Sequence, residues 1–253
     1  MNIKLNLQYD GTEYHGWQIQ QNANTVQETV TNAIEKITGE TVTLTGCGRT
    51  DAGVHAENYV CNFHTNANIP PDKYTYALNS ILPRDIVCFG AKEVREDFHA
   101  NKSAKSKRYV YRILNREFSD AVMNRYAWHY KYPLDIDKMR KAAQAFVGEH
   151  DFVGFASSGF SVKTTVRTIY SLDVTREGDI ITIDIHGNGF LYNMVRIITG
   201  TLLSVGRGSI EPEKIPDIIE SKNRKRAGIT APAQGLWLKE VYYDEGLQDG
   251  QPD

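Results

Sequence analysis

The sequence predicts an α+β protein: two similar α/β subdomains around a largely antiparallel mixed sheet. Strand-like and helix-like segments mix without the strict βαβ rhythm of a parallel sheet. Several strands follow one another across short turns, as hairpins do, and the second half of the chain repeats the style of the first. The 253 residues suit one large domain or two smaller ones, and a 41% hydrophobic composition supplies a sizeable core.

Ile3, Leu5, Leu7 and Tyr9 alternate with polar residues and predict a first strand. A long glycine-containing loop follows from Asp10 to Asn24. Thr25-Val-Gln-Glu28 has the form of a capping box, and Val26, Val30, Ala33, Ile34 and Ile37 recur at helical spacing until Gly39 stops the helix. Strands are expected at 42–45 and 55–64, a short helix at 72–81, and strands at 85–94 and 108–114. Beyond these, 135–147 reads as an amphipathic helix, and 165–175 and 179–187 as paired strands turning at Glu177-Gly178. A strongly apolar helix is expected at 190–205, another at 211–221 with Pro212 near its start, and a last strand at 236–243. The subdomains are placed at 1–102 and 103–243, with 244–253 a disordered acidic tail.

No run of about 18 apolar residues exists, so no membrane span is expected. The opening MNIKLNLQYDG alternates instead of forming a signal peptide's continuous apolar stretch. Cys47, Cys61 and Cys88 are odd in number and contain no CxxC pair, which argues against a disulfide framework or a zinc site. A cytoplasmic protein with reduced thiols is expected. The net charge of −2 disfavours a nucleic-acid partner when taken alone, but distribution matters more than the sum. Lys102, Lys105, Lys107, Arg108, Arg112 and Arg116 lie in one stretch without an acid, and Lys222, Arg224, Lys225 and Arg226 form a second cluster. By charge alone such a run is a solvated face as readily as an RNA groove.

The stretch Gly46-Cys47-Gly48-Arg49-Thr50-Asp51-Ala52-Gly53-Val54-His55-Ala56 holds a carboxylate and a guanidinium two positions apart among glycines. Glycine there implies tight turns or close approach of another backbone. By residue type alone this is a turn whose Asp51 bonds nearby N–H groups, or a reactive loop.

GRTDAGVHA resembles the signature of the tRNA pseudouridine synthase A family. In family order, YDGTEYHGWQIQ (9–20), ALNSILPRDI (77–86), FHA followed by SAKSKRYVYRI (103–113), HDFVGF (150–155), GFLYNMVRIITGTLL (189–203) and APAQGLWL (231–238) are similar as well. The resemblance covers nearly the whole chain up to about Tyr243. Asn101, followed by Lys102, stands where the family usually has arginine after FHA, which puts one phosphate contact in question.

The resemblance implies the pseudouridine synthase fold, with a central active-site cleft, and an isomerase. It breaks the N1–C1′ bond of uridines at positions 38, 39 and 40 of the tRNA anticodon stem and loop, turns the uracil, and joins C5 to C1′. Such an isomerisation needs no redox cofactor, nucleotide or catalytic metal, and the sequence has no Walker loop, dinucleotide fingerprint or Cys/His cluster. It needs a carboxylate beside C1′, as nucleophile or base, and Asp51 matches the family's catalytic aspartate. Arg196, in an otherwise apolar helix, matches the residue that pairs with it; a lone buried arginine needs a partner. Tyr109 matches the tyrosine that packs on the uracil and can accept the C5 proton, although Tyr111 shares its strand face and alternation does not choose between them. Arg49 matches the arginine that fills the space of the flipped nucleotide, and Leu236 an apolar residue closing the pocket. Lys105, Lys107 and Arg108, interleaved with tyrosines, suit a phosphate-lined groove. His55 and His150 read as structural. The family implies a homodimer with tRNA touching both subunits.

Two other functions fit parts of the sequence. A non-catalytic tRNA-binding or chaperone module would use the basic segments but leaves the RTDAGVHA loop without a purpose. A glycosidase would need a second carboxylate near Asp51, and Asp10 or Asp151 could approach only through folding.

Overall fold

The computed structural model describes residues 1–159 and 162–244, so all of the expected tail at 244–253 except Asp244 lies outside the described residues. The chain forms two compact units: Met1–Lys105 together with the segment from Trp237 onward, and Ser106–Leu236. This differs from the expected 1–102 and 103–243 in where the last strand belongs.

In the first unit, β1 (Asn2–Tyr9) lies between β3 (His55–His64) and β4 (Ile86–Val94), antiparallel to both. The short β2 (Thr45–Gly46) pairs with β3. On its other edge β3 receives β10 (Leu236–Tyr243) in parallel, Trp237 opposite His55 and Leu238 opposite Ala56. That pairing is why the last strand joins the first unit.

Ile3, Leu5 and Leu7 are fully buried, and so is Asn2 on the opposite face of β1. Its carboxamide donates to the carbonyls of Arg95 and Phe98, so at Asn2 the polar alternation marks an internal hydrogen-bonded position, while Gln8 at the other end of the same face is exposed. Helix α1 (Val26–Thr38) is capped as its sequence requires: Thr25 accepts from the Glu28 amide, and Gly39 ends the helix at φ 72°. The expected strand at 42–45 shrinks to Thr45–Gly46. Side chains of α1 claim the preceding backbone instead, Glu35 bonding Val42 N and Gln27 bonding Leu44 O. The expected helix at 72–81 is a 3-10 turn at Pro71–Lys73 followed by α2 (Tyr74–Asn79).

In the second unit, β9 (Ile180–Gly187) is antiparallel to both β5 (Ala104–Leu114) and β8 (Val166–Glu177), and β7 (Gly148–Asp151) extends the sheet beyond β8. The two-residue β6 (Trp128–His129) runs parallel to β5. Neither β6 nor β7 was legible in the sequence: one is too short for periodicity, and GEHD reads as polar turn. Helix α3 (Ile136–Gln144), capped by Asp135, packs on β8 and on α4 (Met194–Gly206). A 3-10 turn at Pro212–Lys214 leads into α5 (Ile215–Glu220). Eleven of the thirteen residues of α4 are buried, all but Arg196 and Ser204. The expected α+β class, with two similar mixed units of helices and mostly antiparallel strands, is what the chain adopts.

Candidate active site

The 46–55 loop is pinned along its length by the first unit. Gly46 lies under Trp17 and Tyr59, whose rings stack at 4.0 Å; a Cβ on it would fall 2.1 Å from the Tyr59 hydroxyl. Tyr59 donates to Gly48 O, and Tyr9 shares a 2.9 Å hydrogen bond with the Thr50 hydroxyl. The Trp17 amide donates to Thr50 O and the Gly53 amide to Tyr14 O. The Asp51 carbonyl closes a tight turn onto the Val54 amide, which Gly53 permits with φ 76°. Gly16 and Gly11 let the 10–17 segment press onto this loop; side-chain carbons on them would fall 2.4 Å from Thr50 O and 2.0 Å from Val54 O.

On this fixed backbone Thr50 points inward, Asp51 is half-buried and Arg49 is exposed. The loop therefore presents a carboxylate and a guanidinium from a rigid scaffold, which suits a group that must meet a substrate atom with little rearrangement. His55 is fully buried, stacked on Trp237 at 4.4 Å, with Nδ1 3.0 Å from the Gly11 amide. His150 contacts Val147 O and the edge of Phe152. Both histidines tie segments together.

The second unit holds the other candidates. Tyr111 is fully buried, and its hydroxyl donates to Pro232 O at 2.7 Å; burial drives its pKa well up, with the Arg196 charge opposing. Tyr109 is half-buried and meets Phe190 edge-on at 5.2 Å. Of the two tyrosines on this face, Tyr111 belongs to the core and Tyr109 is the more exposed.

Arg196 is half-buried on α4, and its contacts include two to neutral oxygens. Its Nε donates to Ala231 O and its Nη1 to Asn193 Oδ1, each at 2.7 Å. The Ala231 amide returns a bond to Arg196 O at 3.1 Å. The 228–231 segment lies directly on the helix backbone, where Thr201 Oγ1 accepts from Gly228 N at 2.8 Å. From there the chain passes through a 3-10 turn at Ala233–Gly235, flush against Tyr111, and delivers Leu236, 6% exposed, to the start of β10.

A sequence model for tRNA pseudouridine synthase matches residues 7–119 and 142–244. The chain belongs to this family. Relatives bearing the name tRNA pseudouridine synthase A include one from Thermoanaerobacter sp. (strain X514), 54% identical over 96% of this chain and 99% of its own length. A second, from Acetivibrio thermocellus, is 55% identical over the same shares. A third, from Clostridium acetobutylicum, is 49% identical, again over 96% and 99%.

Among the family's expected site residues, the basic ones sit less freely than the sequence suggests. Lys105 pairs with Asp244 at 2.8 Å on the surface. Arg108 makes two parallel 2.7 Å bonds to Asp184 on the adjacent strand, and Arg116 bonds Asp120. Acids distant in sequence thus face a stretch that contains none. Lys222 turns back to Asp151 at 2.8 Å, which with Thr165 holds that carboxylate's pKa low. Asn193 is the neighbour of the site that the sequence conceals. An asparagine ahead of an apolar helix is a capping signal, but Phe190 and Leu191 extend the apolar pattern upstream and hide the true helix start.

Proposed function

We propose that this chain isomerises uridine to pseudouridine in tRNA, at positions 38, 39 and 40 of the anticodon stem and loop. The observation that carries this proposal is the RTDAGVHA loop: pinned on every side, yet leaving Asp51 partly open, in a chain belonging to the tRNA pseudouridine synthase family. Asp51 acts at the ribose, attacking C1′ or taking the C2′ proton; either route releases the uracil from C1′ through N1. The base turns, C5 bonds to C1′, and the C5 proton passes to a base, for which the Tyr109 hydroxyl is suited.

Arg196 is the counter-charge to the Asp51 carboxylate as water is excluded. Tyr109 stacks on the extruded uracil, an interaction worth roughly 1–3 kcal/mol per base. Arg49 occupies the vacated space in the stem, and Leu236 closes the pocket. Lys105 and Lys107 meet phosphates; Arg108 can do so only by exchanging its bonds to Asp184. No helix of the described residues is long and apolar enough to cross a membrane; a cytoplasmic homodimer sharing each tRNA between subunits is the proposed working form.

The test is incubation with unmodified tRNA followed by chemical mapping of pseudouridine. Product confined to positions 38–40 is expected. Binding without product would overturn the enzymatic reading and leave a tRNA-binding module.

A further inference from the structure

We propose that Asn193 is a positioning residue for the reaction, setting the orientation and preserving the charge of Arg196. The inference rests on the proposed role of Arg196 and adds how that guanidinium is held.

Asn193 breaks two local rules at once. It occupies the left-handed region, φ 61° and ψ 8°, a conformation unfavourable for any residue with a side chain. It also stands at the N-cap of α4 without capping it, because no side-chain bond runs to the first-turn amides. Asparagine tolerates the left-handed region better than most residues and is among the best N-caps, so both advantages are at hand and the second goes unused. Its Oδ1 accepts from Arg196 Nη1 at 2.7 Å, and its Nδ2 donates to Ser157 Oγ at 2.9 Å. The Ser157 amide in turn donates to Tyr192 O at 3.1 Å, fastening the turn after Phe155 to the same corner.

A capping conformation would aim the carboxamide at the helix amides, whereas the left-handed backbone aims it at Arg196. Local strain kept for a side-chain contact is expected where function demands it. The choice of acceptor also matters. Asn193 Oδ1 and Ala231 O are both neutral, so they fix the guanidinium plane from two sides without neutralising it. A carboxylate in place of Asn193 would fix it equally well and cancel the charge that Asp51 requires.

Asn193→Gly separates these roles, since glycine adopts the left-handed backbone without strain and deletes only the carboxamide. The expected result is a single-turnover pseudouridylation rate reduced by about tenfold to a hundredfold, the range for losing one hydrogen bond to a charged group, with tRNA affinity within about threefold and Tm lowered by no more than about 5 °C as relief of the left-handed backbone offsets part of the two lost bonds. Asn193→Asp should be slowed as well at unchanged tRNA affinity, because the introduced carboxylate still accepts from Arg196 but offsets its charge; loss of rate with the hydrogen bond retained is a result that a merely structural role would not produce. Solution NMR with labelled arginine provides a readout independent of activity: rotation of the Arg196 guanidinium should be restricted in the parent protein and fast in Asn193→Gly.

An unchanged rate in Asn193→Gly, or a loss that simply follows a drop in melting temperature or tRNA binding, would overturn the proposal. So would identical guanidinium dynamics in the two proteins. If the parent protein forms no pseudouridine, the proposed function fails, and the NMR comparison still decides whether Asn193 holds Arg196.

Discussion

Gly200→Ala tests whether close backbone packing against α4 fixes Arg196. A Cβ at Gly200 would sit 1.9 Å from Ile229 O and 2.9 Å from Ile229 C, where ordinary contact begins at 3.4 Å. The obstacle is main chain, so the 228–231 segment must retreat by about 1.5 Å or the helix must shift. Three hydrogen bonds span this seam: Gly228 N to Thr201 Oγ1, Arg196 Nε to Ala231 O, and Ala231 N to Arg196 O. Two effects compete. Alanine gains about 1 kcal/mol of helix propensity over glycine. Overpacking costs about 1–3 kcal/mol, and each weakened bond adds about 0.5–1.5 kcal/mol. The clash wins by about 1.5–6.5 kcal/mol, which at about 2–4 °C per kcal/mol for a chain of this size lowers Tm by roughly 3–26 °C. Thermal unfolding followed by circular dichroism measures it, and single-turnover pseudouridylation well below the transition should also be slowed. A variant as stable as the parent, or more so, would show that propensity wins and that the seam is not tightly packed.

Arg196→Met should lose most single-turnover activity, and Arg196→Lys should recover only part of it, because an ammonium cannot engage Ala231 O and Asn193 Oδ1 from two edges of one plane; rates and melting curves of both variants check this. Charge reversal at Lys105 and Lys107 should weaken binding of every tRNA and reduce the slope of log K against log salt by about 0.7–0.9 for each phosphate that is no longer neutralised; titrations across salt concentrations read that slope. Lys4, 5% exposed, has its amine pulled down to about 8 from 10.5 by burial first and Lys92 second, with Glu240 opposing. The folded value lies below the unfolded one, so folding stability should rise as pH increases from about 8 to 10.5, and Lys4→Met should remove this rise in urea unfolding.

Where local chemistry decides the structure, the sequence was legible. The strands expected at His55–His64 and Leu236–Tyr243 have those bounds, and Thr25 and Gly39 bound α1 because capping and a positive φ are properties of those residues themselves. What escaped depends on neighbours distant in the chain. The last strand joins the first unit because β3 pairs with it, and two members of the basic run, Arg108 and Lys105, meet Asp184 and Asp244, which no local window reveals. Tyr109 and Tyr111 share a pattern position and differ only in what packs over them. At Asn193 the local capping signal was overridden by Arg196, a contact visible only once the helix starts at Met194.

Release of tritium from tRNA carrying 5-tritiated uridine, compared between the parent protein and Asp51→Asn, tests the proposed chemistry most directly. Forming a C5–C1′ bond must expel the hydrogen at C5, so the parent should release tritium in step with pseudouridine. The amide keeps the shape of the pinned loop but can neither attack C1′ nor take a proton, so Asp51→Asn should bind tRNA within a few fold of the parent and release none. Residual turnover in the variant above about one per cent of the parent, or a parent that releases no tritium, would contradict Asp51 as the essential carboxylate of a pseudouridine synthase.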